Sequence, residues 1–527
     1  MSIFSFSFGC FLLSLGVLYF LFPKKLQWWI LLAGNLVFYS FAGTRYLIYL
    51  ISCAFFTWFA ALKIEKNSSE LAEKLSTAAD KDEKKALRLK YNKMKRNLII
   101  AALIPTLGVW IVLKYCPFLV NSVSSLFSDR HLSDISSPLH LIVPLGMSFY
   151  TFDAIGYMID VSRNKYEADA NFFHYLTFLS FFPHIIQGPF SRYDRLGETL
   201  FAEHRFSYDR LCRGLSRILW GYFKKLIIAD KLAVTVNEIF SNYENYRGIQ
   251  TLLVIVLYGI QIYADFSGYM DIASGVSHVL GISLEKNFDQ PYFAVSVEDF
   301  WRRWHMTLGH WFRDYMFYPI AMSTKVQAIG KKTRMRFGPR AGKLITSGIA
   351  SFWVWSATGL WHGASWTFLV WGWLNMIVMI FSQVMDPWYV KARNFFHISL
   401  ENKLWHLFRI FRTFCLVCFF RFFSRADSIK TALLMLGRIT QGISREFLTD
   451  PMCLFPQMRV HDVFIVLAAV IVMTAADILS EKGKWDHTVT KTNFLIRNAV
   501  YVLMIVSLIL FAGSGEDIAK GFMYANY

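Results

Sequence analysis

What most limits the fold of this chain is a succession of apolar runs, each close to the length that crosses a bilayer. A helix needs about 20 mostly apolar residues to traverse a hydrocarbon core roughly 30 Å thick. Such runs occur near residues 4–22, 26–42, 45–62, 98–114, 138–161, 171–188, 211–228 and 249–268, and again near 344–361, 366–383, 403–423, 459–478 and 495–512. In lipid the backbone must satisfy its own polar groups, so these runs predict helices. Some are short. Allowing for broken or re-entrant pieces, the pattern predicts an all-α polytopic membrane protein of roughly ten to thirteen helices. With 55% hydrophobic and only 17% charged residues, lipid is the expected solvent. The first run lacks a basic region before it and a small-residue cleavage site, so it reads as a retained span.

Charge gives the direction. Residues 63–96 carry eleven Lys/Arg against six Asp/Glu, with the Ala/Glu/Lys/Leu content of an exposed helix. The positive-inside rule places this loop, 63–97, in the cytoplasm, and with three spans before it the N-terminus lies outside. A second basic block, 325–343, has seven Lys/Arg and no acid, and is expected on the same side. The net charge of +18 therefore reads as cytoplasmic loops and contact with anionic membrane lipids, not as a nucleic-acid surface. The seven cysteines show no paired spacing beyond Cys415 and Cys418, so neither a metal site nor a redox motif is expected. The absence of a fixed-period repeat or an inverted pair of broken helices disfavours a transporter.

A charged side chain at the bilayer centre costs about 2.5–3.5 kcal/mol, so each one in an apolar segment needs a partner, a cavity or a task. Three clusters qualify. In "YADFSGYMDIASG", residues 263–275, Asp265 and Asp271 are expected to close an apolar helix begun near Leu252. Asp265 would then sit at the membrane boundary, accepting from Ser267, Gly268 or an arginine. In residues 296–319, Ser296 and Asp299 make a capping-box-like start that predicts a helix from near Val297. On it Trp301, Trp304, His305, Leu308 and Phe312 share a face, while His310 lies elsewhere, within reach of Asp314. Arg302, Arg303 and Arg313 fit an interfacial helix that reaches lipid phosphates; a histidine within the aromatic face fits that less well.

The third cluster is "GLWHGASW", residues 359–366. A helix running straight from Leu344 carries His362 towards the side away from the basic block, whereas loosening at 356–359 leaves it nearer the midplane. Gly359 and Gly363 permit close approach by another helix or a ligand. A neutral imidazole can take a proton from an alcohol that attacks an acyl carbon. A hydrogen-bonded structural histidine is the other reading. No HExxH, P-loop or GxSxG pattern occurs, so a histidine acting on a substrate hydroxyl is the chemistry that stays.

"NFDQPYFAVSVEDFWRRWHMTLGHWFRDY" (287–315), "GLWHGASW" (359–366) and "DFSGYMDIASG" (265–275) together resemble the membrane-bound O-acyltransferase family, in its bacterial polysaccharide-modifying branch. "VPLGMSFYTFDAIGYMIDV" (143–161) and "QGPFSRYDRL" (187–196) fit in register. "FRFFSRADSIKTALLMLGRI" (420–439) and the ending "GFMYANY" (521–527) look like alginate and peptidoglycan O-acetylating proteins. Two departures weaken alginate as the acceptor: Asp289 stands where Asn is usual, and "AMSTKVQAIGKKTRMRFG" replaces the alginate-type Gly-Gly-Asn-Arg turn.

The resemblance implies a ring of helices around a central tunnel, with N-terminal helices in 1–114, a catalytic core in 138–383 and C-terminal helices in 403–527. It implies His362 as the catalytic base and His305 as the second histidine, orienting the donor or polarising its carbonyl. Trp304 and Trp361 would shape the tunnel, with Asp265 among the substrate-binding residues. Arg302, Arg303 and the 325–343 block would attract donor phosphates or an acidic carrier, or serve only as positive-inside anchors. The acyl group, acetyl first, would come from a cytoplasmic thioester, acetyl-CoA or an acyl-carrier protein, with no bound cofactor and no metal. It would end on hydroxyls of an exported cell-surface polysaccharide outside a bacterial inner membrane crossed by multiple passes, with a secreted SGNH or esterase-like partner. D-alanyl transfer to teichoic acid, a transporter or flippase, and a non-catalytic scaffold stay open.

Overall fold

A computed structural model describes residues 3, 5–127, 144, 146–441, 449–481 and 494–512. The ending 521–527, which carries part of the resemblance, lies outside the described residues, as do 138–143 and 145 at the start of the fifth apolar run. The described secondary structure is helical, with no strand and one isolated antiparallel bridge between Phe288 and Trp304. Five described helices are long and apolar enough to cross a membrane: Thr44–Thr77, Lys81–Val123, Ile249–Leu280, Trp366–Phe395 and Val460–Glu481. The chain is an integral membrane protein of the all-α class.

Other apolar runs form shorter or interrupted helices. The 171–188 run splits into Phe172–Ser180 and Phe182–Ile185, because Pro183 has no N–H to continue the first helix. The 211–228 run contributes to Tyr208–Tyr222, then widens into a π-helical turn, Phe223–Ala229, and resumes as Asp230–Ser241. The basic segment is helical, as its composition predicts: it extends Leu47–Thr77 and opens Lys81–Phe127. Tyr91 ties the two together, accepting from Lys74 Nζ at 2.9 Å and donating to Glu70 at 3.2 Å.

Two compact units are present. The first comprises Met1–Leu215 and Ala273–Glu285. There the helix break after Ser180 is made tolerable by Asn35, whose Oδ1 accepts from Phe182 N at 3.1 Å and whose Nδ2 donates to Thr177 O at 3.3 Å. A buried backbone group without such a partner would cost about 1–3 kcal/mol.

The second unit comprises Ser216–Ile272 and Lys286–Tyr527. The helix expected to close at Asp265 and Asp271 instead runs from Ile249 to Leu280. Its carboxylates need no exit to water because lysines reach them: Lys225 Nζ lies 2.6 Å from Asp265, and Lys224 Nζ lies 2.5 Å from Asp271. Asp265 thus has a buried lysine as partner, where the sequence suggested Ser267, Gly268 or an arginine at the membrane boundary.

Pro339–His362 and Trp366–Phe395 form an antiparallel hairpin that two glycines bring together. A Cβ on Gly359 would lie 2.6 Å from Phe368 O, and one on Gly372 would lie 2.6 Å from Trp355 O. Neither backbone can yield at that distance, so only glycine permits this crossing. Trp373 Nε1 donates to Ser356 Oγ at 2.9 Å across the same seam.

Candidate active site

The capping signal before His305 is realised: Ser296 Oγ accepts from Asp299 N at 3.1 Å and starts the helix Val297–Arg303. The helix then stops, contrary to a continuous aromatic face through Phe312. Trp304 is extended (φ −103°, ψ 126°), His305 is left-handed (φ 47°, ψ 52°), and a new helix runs Met306–Phe312. The reason is pairing with a second segment, since Asp289 N donates to Arg303 O at 2.9 Å and Met306 N donates to Asn287 O at 3.0 Å. Bulky Phe288 and Trp304 face each other there edge-on, ring centres 5.0 Å apart.

This strand-like contact brings Asn287 to His305. Asn287 Oδ1 accepts from Thr307 N at 3.2 Å and from Thr307 Oγ1 at 2.9 Å, and stands 3.1 Å from His305 Nδ1. Because a backbone N–H can only donate, the amide atom facing it is the oxygen, and His305 Nδ1 must carry the proton. Burial first, and the Arg421 guanidinium second, push the His305 pKa down to about 3. The ring is therefore neutral, with the lone pair on Nε2. In this tautomer His305 Nε2 can accept a hydrogen bond but cannot donate one.

His362 ends the Pro339–His362 helix, which continues without loosening at 356–359. It lies about 27 Å along the axis from Leu344 at 1.5 Å per residue, close to the thickness of the hydrocarbon core. The imidazole is buried, edge-on to Trp371 with centres 4.9 Å apart and against Trp361 at 4.7 Å. Gly363 leaves room for Phe368, whose ring would come within 2.1 Å of a Cβ there. Trp361 is the link between the histidines, since its ring centre lies 6.0 Å from that of His305.

Of the residues singled out in the sequence, His305, Trp304, Trp361 and His362 are buried together. Asp265 is one residue from Phe266, whose ring meets His305 edge-on at 4.8 Å, but its carboxylate is engaged by Lys225. Arg302 is two-thirds exposed and pairs with Glu298 at 3.5 Å. Arg303 is held by Asp299 at 3.2 Å and Glu481 at 2.7 Å. No contact brings either arginine to the imidazoles. Asp289, the departure from the family pattern, pairs with Lys286 at 2.6 Å. Among the described residues no three His, Cys, Asp or Glu side chains converge as metal ligands do.

Sequence reasoning passed over Asn287, Trp371, Lys224, Lys225 and Arg421. Two signals were present: lysines at 224 and 225 within an apolar run, and an arginine inside "FRFF".

Residues 162–424 match the model of the membrane-bound O-acyltransferase family (MBOAT). A probable alginate O-acetylase (AlgI) of Azotobacter vinelandii is 34% identical over 273 residues, 51% of this chain and 51% of that protein. A peptidoglycan O-acetyltransferase of Helicobacter pylori is 29% identical over 442 residues, covering 79% of this chain and 73% of that protein. A teichoic acid D-alanyltransferase of Bacillus subtilis is 28% identical over 325 residues, 58% of this chain and 76% of that protein. The chain spans about half the length of the first alginate O-acetylases it matches.

Proposed function

Because this chain belongs, through its domain at residues 162–424, to the membrane-bound O-acyltransferase family, we propose that it moves an acyl group, acetyl first, from a thioester to hydroxyls of an exported cell-surface polysaccharide. The donor is acetyl-CoA or an acyl-carrier protein on the cytoplasmic side, and the protein is a multi-pass component of a bacterial inner membrane. A secreted SGNH or esterase-like partner completes delivery to the polymer. The observation that carries this reading is the buried pair of imidazoles joined by Trp361, a water-poor centre in which proton transfer and acyl transfer are protected from hydrolysis.

His362 acts as general base. The acceptor oxygen attacks the acyl carbon as its proton passes to His362, and the C–S bond breaks to release the thiol. Such help is typically worth about 10²–10⁴ in rate. His305 accepts a hydrogen bond through Nε2 and so positions a hydroxyl or a donor amide. Trp304 and Trp361 wall the site. Arg302 and the 325–343 block attract donor phosphates or an acidic carrier surface.

The long alignment to a peptidoglycan O-acetyltransferase supports acetyl as the group. D-alanyl transfer is the second reading, favoured by the share of a teichoic acid D-alanyltransferase that aligns. The test is purified protein in lipid nanodiscs supplied with labelled donor thioester. Thiol release that disappears in His362→Ala supports acyl transfer; passage of intact donor across the bilayer supports a transporter. Mass analysis of cell-surface polymer with and without the gene distinguishes acetyl from D-alanyl.

A further inference from the structure

Lys224, Lys225 and Arg421 are basic side chains buried in the second unit. The two lysines are neutralised: Lys224 by Asp271 at 2.5 Å, and Lys225 by Asp265 at 2.6 Å and Asp230 at 2.8 Å. Arg421, on the helix Lys403–Arg425, is 4% exposed. Its side chain makes no ion pair with any described residue, and its Nη2 is buried without a hydrogen-bond acceptor among them. Aromatic rings surround it instead. The guanidinium carbon lies 4.9 Å from the ring centre of Trp371, 5.0 Å from Trp304 and 5.9 Å from Trp301. Those faces attract the charge but accept no ordinary hydrogen bond from Nη2. Arginine cannot shed its proton to escape, so a buried guanidinium in this state calls for an anion.

The same tryptophans reach both imidazoles. Trp371 stands edge-on to His362 at 4.9 Å, and Trp304 directly precedes His305 in the chain. The neutral His305 does not supply the anion, and in its tautomer Nε2 cannot donate to the acyl carbonyl. Resting on the acyl-transfer reading above, we infer that Arg421 is the anion-stabilising residue of the reaction, holding the negative oxygen that develops on the acyl carbonyl. As the acceptor oxygen forms the new C–O bond, its proton passes to His362 and the carbonyl electron pair moves onto the oxygen beside Arg421. On collapse that pair re-forms the carbonyl, the C–S bond breaks, and the thiolate takes the proton from His362. The counter-charge that no described residue gives Arg421 at rest arises at the tetrahedral stage, where a preorganised cation in an apolar wall acts most strongly.

The experiment compares wild type, Arg421→Met and Arg421→Lys as full chains in nanodiscs, with acetyl-CoA as donor and a short soluble glycan as acceptor. Arg421→Met is expected to lower kcat by about 10²–10³, with KM for acetyl-CoA unchanged within about twofold. Its Tm is expected at or above that of wild type, because an apolar side chain replaces a buried charge that no described residue pairs. Arg421→Lys keeps the charge and is expected to fall between. A raised KM with kcat intact would make Arg421 a ground-state phosphate binder and overturn the inference. So would a lowered Tm with activity lost equally in Met and Lys variants, the mark of a structural role. Turnover retained by Arg421→Met overturns the Arg421 assignment alone, whereas no turnover by wild type overturns the acyl-transfer reading beneath it.

Discussion

Replacing Asn287 separates the geometry of His305 from its charge. Asn287 Oδ1 serves His305 Nδ1 at 3.1 Å, Thr307 N at 3.2 Å and Thr307 Oγ1 at 2.9 Å. Asn287→Leu removes the acceptor and leaves buried donors unpaired, at about 1–3 kcal/mol each, so both Tm and activity fall. Asn287→Asp keeps the shape and the accepting oxygens but sets a negative charge beside the imidazole. An opposite charge that close raises a pKa by about 1–3, from its present position of about 3. If the neutral ring is the working form, activity is present above the pKa and lost as pH falls through it. Protonation of the base His362 also ends activity, so the acid limb of kcat in Asn287→Asp is expected to gain a second proton and steepen, while the rate at high pH stays near that of wild type. The assay is thiol release from acetyl-CoA followed between about pH 4 and pH 9. An Asn287→Asp profile that superimposes on wild type, or an Asn287→Leu protein with the wild-type rate, would refute the tautomer argument.

Three further outcomes are expected. Lys225→Met leaves Asp265, which is 0% exposed, without its lysine, and should cost about 3–5 kcal/mol. Lys225→Met combined with Asp265→Asn should recover most of that loss when Tm is measured in detergent. Gly359→Val forces the hairpin apart at Phe368 O, at about 1–3 kcal/mol, and should lower thiol release as well as Tm, since His362 lies one turn on. Arg302→Ala should leave Tm unchanged, an exposed pair of this kind being worth about 0–1 kcal/mol. A rise in KM for acetyl-CoA but not for an uncharged thioester would register Arg302 as an electrostatic attractor.

The apolar runs and the Ser296 cap were legible because each is a local signal: hydrophobicity over twenty residues, or a hydroxyl three residues from a carboxylate. Whether the helix to His362 runs straight or loosens at 356–359 was open in the sequence, and the structure shows it unbroken. What the sequence hid was long-range compensation. Asp265 and Asp271 looked like a helix end because nothing local neutralises them, yet lysines about forty residues upstream in the chain let the helix run on to Leu280. Arg421 was hidden for the converse reason. It sits in a run whose apolar neighbours make it look like a tolerated exception, and only the folded arrangement shows tryptophans where a carboxylate was to be expected.

The left-handed turn at His305 has a cost and a return that can be measured apart. A non-glycine residue in that region gives up about 1–2 kcal/mol. In exchange the second helix begins at Met306 with its first donors already accepted, Met306 N by Asn287 O and Thr307 N by Asn287 Oδ1. The oxygen that caps this helix is also the one that fixes the proton on His305, so backbone conformation and imidazole chemistry are set by one contact. His305→Gly and His305→Ala both remove the imidazole and should both lose activity. Glycine adopts the left-handed region freely, so His305→Gly should be more stable than His305→Ala by about 1 kcal/mol, the reverse of the order expected inside a helix. Equal stabilities, or alanine ahead, would mean that the chain relaxes into a continuous helix once the imidazole is gone. The bond to Asn287, and not the bridge between Phe288 and Trp304, would then be what holds the turn.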